Sequence, residues 1–481
     1  MNILLINPPI RVEAEPTHIA IGLGVIANVL ANEGYNVKIL DLNAERLSNE
    51  EVIEKVNLNN KFDIIGIGGL ITTYRYLKWL IPEIKKYNPN SIIVIGGGVV
   101  TESPTLLLSK TPADIAVICE GEITMKELVA TIKKNKSYKD INGIAYKDNG
   151  EIKINPPRPL IKDLDELPLP AYELFPINIY LKNVSHGSII GKKSEMGIIT
   201  TRGCPFNCHY CYHIFGRGVR TRSIDNVINE IKYLIDKFNV ESILILDETF
   251  TINKKRVKEF CQKVISEKIK IPWSCYARVN LIDKIMLKMM KAAGCYRVGY
   301  GIESGSQKIL DNMNKGVTVE QAKKAIKITR KVGLNVGATF MFGYPGETLE
   351  TIQETIEFCD KLNLSPTFFF TTPYPGTKLY IDMKERILEK FNNEDKFFEV
   401  LGDAKEFTIN LSDFSNEELF ELKKKAENDL KIKTFKKKLQ NYNNKLRIYG
   451  FFSSIKKINR KILGIFFKRN NTPKSNIKRE N

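Results

Sequence analysis

Residues 201–212 read Thr-Arg-Gly-Cys-Pro-Phe-Asn-Cys-His-Tyr-Cys-Tyr, which puts Cys204, Cys208 and Cys211 within eight positions of a 481-residue chain that has eight cysteines in all. The run before them, 196–202, reads as a strand, so the cysteines stand where a strand gives way to a loop. The same alternation continues downstream. Strand-like runs at 241–248, 272–279, 296–304, 335–343 and 366–372 are separated by helix-like segments. This predicts six parallel β/α units over 191–375, a partial (β/α)6 barrel rather than the closed eightfold form. Active-site residues of such barrels gather at the carboxyl ends of the strands, where this loop lies.

Upstream, residues 1–135 alternate strand-like runs at 2–9, 36–41, 63–69, 91–98 and 115–122 with helix-like segments near 20–33, 50–57, 73–87 and 122–134. The pattern predicts an α/β domain with a doubly wound, five-stranded parallel sheet. Its ligands should bind beyond the carboxyl ends of the strands, where Gly68-Gly69, Gly96-Gly97-Gly98 and Glu120-Gly121-Glu122 fall. Such glycines also serve simply to turn the chain. Residues 136–190 carry Pro156, Pro157, Pro159, Pro168, Pro170 and Pro176 and read as an extended connector. Residues 376–481 read as a helical C-terminal region.

With 43% hydrophobic residues the composition is that of a globular protein. The N-terminus lacks the pattern of a signal peptide, and no apolar run approaches the length of a spanning helix. The cysteines are therefore expected in a reducing cytoplasm, where clustered thiols more often bind metal than pair. The charge is uneven. Residues 431–481 hold 16 Lys and Arg against one acid, a net of +15 out of the formal +18. Within that tail Ile448, Phe451, Ile455, Ile458, Ile462 and Ile465 recur at steps of three and four. A basic amphipathic helix of this kind suits a membrane surface, which predicts peripheral association with the inner face of the membrane. Nucleic acid is the rival partner for a basic tail and is disfavoured, because the aromatics share one apolar stripe. Packing back on the protein is a third reading.

The spacing is Cys204-x3-Cys208-x2-Cys211. Zinc usually takes four protein ligands, and His209 or His213 could complete such a set. Three thiolates on one loop instead suit a [4Fe–4S] cluster with one iron left open. With Tyr210 before the last cysteine, the loop resembles the signature of the radical S-adenosylmethionine (SAM) superfamily. The resemblance implies that SAM chelates the open iron and is cleaved to a 5′-deoxyadenosyl radical, with electrons from a reductant such as ferredoxin or flavodoxin. The segments Ile245–Thr251, Ser274–Val279, Tyr300–Gly305 and Gly337–Glu347 are similar to the subfamily that carries an N-terminal cobalamin-binding domain. Its members include class B methyltransferases and the anaerobic Mg-protoporphyrin monomethyl ester cyclases. The likeness covers roughly residues 1–375.

By that resemblance Cys204, Cys208 and Cys211 bind the cluster, and Tyr210 meets SAM adenine. Glu303 and Ser304 meet its ribose or methionyl part, Arg278 its carboxylate, and the backbone around Gly343, Tyr344 and Gly346 its adenine. The family's Gly-Gly-Glu is replaced here by Asp247-Glu248-Thr249, and Asp247 joins the expected SAM contacts. A salt bridge to a neighbouring strand is the plainer reading of Arg278. The cobalamin candidates are Thr72, Gly96, Gly97, Gly98, Glu120 and Glu122. The Asp-x-His-x-x-Gly motif is absent: His18 is present, but position 16 is proline and the glycine, Gly22, comes one residue late. A domain that only caps the barrel is the alternative. Cys261, Cys295 and Cys359 read as structural, while Cys119 and Cys275 lie near strand ends.

The expectation is a cobalamin-dependent radical SAM enzyme that methylates an unactivated carbon of an apolar, lipid or membrane-associated small molecule. Ring formation or carbon–carbon coupling on a lipid or tetrapyrrole, without methyl transfer, is the alternative. A non-catalytic metal or cobalamin sensor is a distant third. Methylthiolation of RNA is disfavoured, because the N-terminal domain offers only Cys119 for a further cluster.

Overall fold

The computed structural model describes residues 1–11, 14–57 and 61–430, and the basic amphipathic tail expected over 431–481 lies outside them. The chain opens with β1 (Asn2–Asn7), β2 (Asn36–Asp41), β3 (Ile64–Gly68), β4 (Ile92–Gly96) and β5 (Ile115–Val117), all parallel. Ile3, Leu4, Leu5 and Ile6 of β1 are all buried, because helices cover both faces of the sheet and strand alternation has no solvent side to serve. Each such side chain contributes roughly 1.5–3 kcal/mol. The helices Ile21–Asn32 and Tyr74–Tyr87 follow β1 and β3. With β1 lying between β2 and β3, the winding reverses there and opens a crevice at the strand ends.

The sheet has more strands than the sequence predicts. β6 (Ile144–Asp148) joins β5 antiparallel, and β7 (Glu151–Ile154) returns beside β6. Asn149 (φ 50°) and Gly150 (φ 87°) make the two-residue turn between them, which needs positive φ at both positions. Residues 136–190 are therefore only partly an extended connector. The proline-rich passage begins after β7, and its Ile161, Leu164 and Leu167 cover Val25 and Val29 of the helix after β1.

The second unit has β8 (Met196–Ile198), a short ribbon of β9 (Thr201–Arg202) with β10 (Arg220–Thr221), then β11 (Ile243–Ile245), β12 (Trp273–Ala277), β13 (Cys295–Glu303), β14 (Asn335–Phe342) and β15 (Thr367–Phe370). The six main strands pair in sequence order from β8 to β15, all parallel, which is the expected partial barrel. Helices such as Ile224–Phe238 and Val319–Val332 cover its outside. Their buried faces recur at helical spacing, as in Val227, Ile228, Ile231 and Leu234.

After the barrel the chain returns to the N-terminal sheet. The helices Lys378–Asp382, Lys384–Phe391 and Glu394–Val400 bring Phe397 and Phe398 into the core beside Tyr74. The Tyr74 hydroxyl donates to Asp395 at 2.5 Å, and Lys78 reaches Asp395 and Glu399 at 2.9 and 2.6 Å. The two sheets are thus tied by a third element that neither contains. Among the described residues no helix is long and apolar enough to cross a membrane.

Candidate functional site

The cysteine loop leaves the barrel through β9 and returns through β10. Gly203, at φ 89°, passes so close to Gly218 that a Cβ there would stand 2.2 Å from its carbonyl oxygen, which only glycine allows. The loop is pinned from across the barrel, where His209 N donates to Met313 O (2.9 Å) and Asn314 Nδ2 to Asn207 O (2.8 Å). Cys204, Cys208 and Cys211 all line one cavity of about 560 Å3. Burial pushes the Cys204 thiol up, and it pushes Cys211 to about 12 with the neighbouring thiols adding to the shift. Thiolates crowded in this way call for a cation to ionise. Among the described residues no three His, Cys, Asp or Glu side chains converge on a single-ion site. A four-iron cube spreads its ligands around a larger body, and three thiols on one cavity wall fit that donor set.

Around the thiols the structure gathers Tyr210, Arg278 and Glu303 as expected, and adds Glu248 and Lys315. The Arg278 guanidinium lies 3.9 Å from the Phe206 ring centroid, and its Nη1 stands 3.6 Å from Cys208 Sγ. Arg278 therefore faces the cavity and the cluster loop. Lys315 Nζ donates to Tyr210 Oη (2.7 Å) and Glu303 Oε1 (3.2 Å). The sequence reading missed Lys315 because it sits in a loop after the short helix Gln307–Asn312, with no strand end to mark it. Glu303 itself is at φ 70°, beside a register shift in the pairing of β13 with β14. Burial, then the neighbouring Asp247, raises Glu248 to about 7.

The other expected SAM contacts have partners within the protein. Asp247 lines the cavity, but its carboxylate is taken by Thr200 N (2.6 Å), Thr200 Oγ1 (2.5 Å) and Thr201 N (3.0 Å). It braces the strand entering the cysteine loop. Ser304 turns into the protein, 3.2 Å from Thr355 Oγ1 and accepting from Ser306 N. The N–H groups of Gly343 and Tyr344 donate to the Glu347 carboxylate, and Tyr344 packs with Ile309 and Met313. Gly346 faces Asn312. The part of β14 that faces the cavity is Val336–Thr339, several residues earlier than expected, and Glu347 folds the turn after the strand back on itself.

A second cavity of about 300 Å3 opens at the carboxyl ends of β1, β3, β4 and β5. Gly96, Gly97 and Gly98 line it, and a Cβ on Gly97 (φ 83°) would stand 2.6 Å from Gly69 O. Thr72 is not among the residues lining it, although its Oγ1 is buried without a hydrogen-bond partner among the described residues. Glu120 and Glu122 are on the wall, with carboxylates held by Arg202 and Arg220 at 2.6–2.8 Å. Through these bonds they clamp the cysteine loop to the sheet. His18 lies away from this cavity, its Nε2 3.4 Å from Ser185 Oγ and its ring against Gly197. Burial, helped by Arg11, lowers it to about 4. A glycine-lined, largely apolar crevice at a topological switch point fits a bulky cofactor such as cobalamin, with Gly96–Gly98 as its floor.

The two cavities share a wall. Cys211 and His213 face the first, while Ile214 and Phe215 of the same loop face the second.

Comparison with known proteins agrees with this geometry. The sequence model of the radical SAM superfamily matches residues 198–359, and that of the B12 binding domain matches residues 8–129. The chain is 38% identical over 391 residues to an uncharacterized methyltransferase of Pyrococcus horikoshii, covering 79% of this chain and 82% of that one. It is 30% identical over 382 residues to the anaerobic magnesium-protoporphyrin IX monomethyl ester cyclase of Rubrivivax gelatinosus, covering 76% and 67%. In fold it is similar to the radical SAM methyltransferase TsrM of Kitasatospora setae, solved with cobalamin and a [4Fe-4S] cluster bound, at TM-score 0.68 and 19% identity over 80% of this chain and 75% of that one.

Proposed function

Because the chain belongs to the radical SAM superfamily and carries its B12-binding domain, we propose that it transfers a methyl group from SAM to an unactivated carbon of a largely apolar small molecule. It is a radical SAM enzyme, and its cofactors are a [4Fe–4S] cluster, SAM and cobalamin. When bound, these groups supply one-electron cleavage of SAM and a carrier for the methyl group. The protein's part is to orient them and exclude water.

The observation that carries this reading is the shared wall, since one loop backs both cavities and would set the two cofactors side by side. On the first cavity's side, Cys204, Cys208 and Cys211 would hold the cluster. Arg278 and Lys315 are the cations within reach of a SAM carboxylate, while Glu303 and Glu248 could take its hydroxyl or amino groups. The mainly apolar lining of the second cavity keeps bulk water from the space between them. An external reductant such as ferredoxin or flavodoxin would supply the electrons. The basic tail supports a peripheral place on a membrane, and through it a lipid-like substrate.

The likeness to the cyclase supports a second reading, ring formation or coupling without methylation. The test is anaerobic: protein reconstituted with iron, sulfide and cobalamin receives SAM, a reductant and a membrane-lipid extract, and its products are read by mass spectrometry. Methyl transfer yields 5′-deoxyadenosine with S-adenosylhomocysteine and a substrate product heavier by one methylene. Deoxyadenosine without S-adenosylhomocysteine would replace it with the cyclase reading, and neither product would sink both.

A further inference from the structure

We propose that the barrel lumen contains an anion-recognition subsite built around Arg297, and that the substrate carries a carboxylate or phosphate-type group at the end remote from its reacting carbon. This rests on the enzymatic reading above and adds the class of substrate.

Along β13, Arg297, Gly299, Gly301 and Glu303 alternate onto the same cavity. Six residues separate Arg297 from Glu303, a distance of roughly 20 Å at about 3.3 Å per residue. The Glu303 end carries Lys315, Tyr210 and the three thiols. The Arg297 end carries none of these, and Tyr276 stands beside it. Between the ends Gly299 and Gly301 leave the strand bare, so the lumen stays open along its length.

Arg297 lies flat against β14, because a Cβ at Gly337 would stand 2.0 Å from its Nη2 and 2.6 Å from its Cζ. Its Nη1 is buried and has no hydrogen-bond partner among the described residues. Arg202, Arg220 and Arg222, also largely buried, each have a carboxylate within 2.8 Å, whereas Arg297 has no ion pair among the described residues. The nearby Glu195 accepts from Ser185 N (3.1 Å), His186 N (2.9 Å) and Tyr296 Oη (3.1 Å) and, among the described residues, makes no direct ion pair with Arg297. His186 lies beside Tyr276 and brings no negative charge, since burial and then Arg297 lower it to about 4. Tyr276 hydrogen-bonds the guanidinium, but the buried Nη1 is left without an acceptor among the described residues, which is unfavourable. An oxyanion entering the lumen supplies the missing partner, and the planar fork matches a carboxylate or phosphate in two-point fashion.

The test uses the full chain reconstituted with iron, sulfide and cobalamin, with SAM present and no reductant, so that the cysteine end of the lumen is filled and no turnover occurs. Equilibrium dialysis at low salt measures radiolabelled inorganic phosphate and butyrate. Wild type should bind at least one of them, and the preferred anion identifies the group as phosphate-type or carboxylate. Arg297→Gln should bind at least tenfold more weakly, with Arg297→Lys in between. On the wild-type chain, saturating anion should also slow phenylglyoxal modification of Arg297 at least fivefold, a readout independent of any variant's folding. No anion binding by wild type, equal binding by a folded Arg297→Gln, or unprotected Arg297 would each overturn the subsite. None of these readings needs SAM cleavage. A chain that binds anions at Arg297 but forms neither product loses only the proposed reaction, and one that methylates with Arg297 indifferent loses only the subsite.

Discussion

Nη2 of Arg202 lies 2.6 Å from Oε1 of Glu122, and its Nη1 lies 2.7 Å from Oε1 of Glu120. Arg202 is two residues before the first cluster cysteine, and both glutamates follow β5 of the other sheet. Glu120 also holds Arg220, at the far end of the same loop, through both oxygens at 2.8 Å. One buried network of two arginines and two glutamates therefore fixes both ends of the cysteine loop to the N-terminal sheet. Since residues of that loop line both cavities, the network fixes the wall between them, and in the proposed reading it would set how far apart the two cofactors stand.

Removing Glu120 leaves two buried guanidiniums short of a partner. Glu120→Ala should lower the unfolding free energy by about 3–5 kcal/mol, read by chemical denaturation, and Glu122→Ala by less, because only Arg202 loses a contact. A loss below about 1 kcal/mol for Glu120→Ala would mean that the network behaves as an exposed one.

Gly97 tests the second cavity alone. At φ 83° and with a Cβ that would stand 2.6 Å from Gly69 O, Gly97→Ala must move the turn that floors the crevice. Cobalamin retained after desalting, read by its absorbance, should fall at least tenfold while iron per chain stays at the wild-type level. Equal retention would remove Gly96–Gly98 from the cobalamin site.

The pieces of fold and site that the sequence made legible are those carried by local pattern. The parallel strands were readable because burial on both faces writes them as unbroken apolar runs, as in Ile3–Ile6. The cysteine loop was readable because its spacing is local. The β6–β7 hairpin is masked by the prolines that follow it, which make 136–190 read as an extended connector, although Asn149-Gly150 is its turn signal. The partners of Ser304 and Tyr344 are not legible in the sequence, because the direction of a side chain at a strand end depends on residues such as Thr355 and Glu347, which lie on later elements. Lys315 and Arg297 carry no motif of their own. Their roles arise only when β13 closes beside β14 and Gly299, Gly301 and Gly337 leave space for them.

For the cluster ligands, Cys208→Ala should reduce iron to background and abolish deoxyadenosine formation, while cobalamin stays bound in its separate crevice. Cys261→Ala, at a buried thiol in the barrel core, should keep its iron. Iron retained at the wild-type level in Cys208→Ala would withdraw Cys208 from the set.

Glu347 makes a prediction about pH. It sits in the turn after β14, its Oε2 accepting from Gly343 N (2.6 Å) and Tyr344 N (3.3 Å). Burial outweighs these bonds and raises its pKa from 4.5 to about 7. Between those values the folded chain keeps a proton that the unfolded chain has released. The stabilisation is therefore whole below about 4.5 and is lost as pH rises to about 7. Glu347→Gln keeps an acceptor for both N–H groups but cannot titrate. The stability of wild type relative to this variant, measured in denaturant, should fall by up to about 1.4 kcal/mol per pH unit from pH 5 towards 7 and level off above it. Parallel curves for the two proteins would show that Glu347 is ionised in the fold throughout, and that the turn is held by a carboxylate.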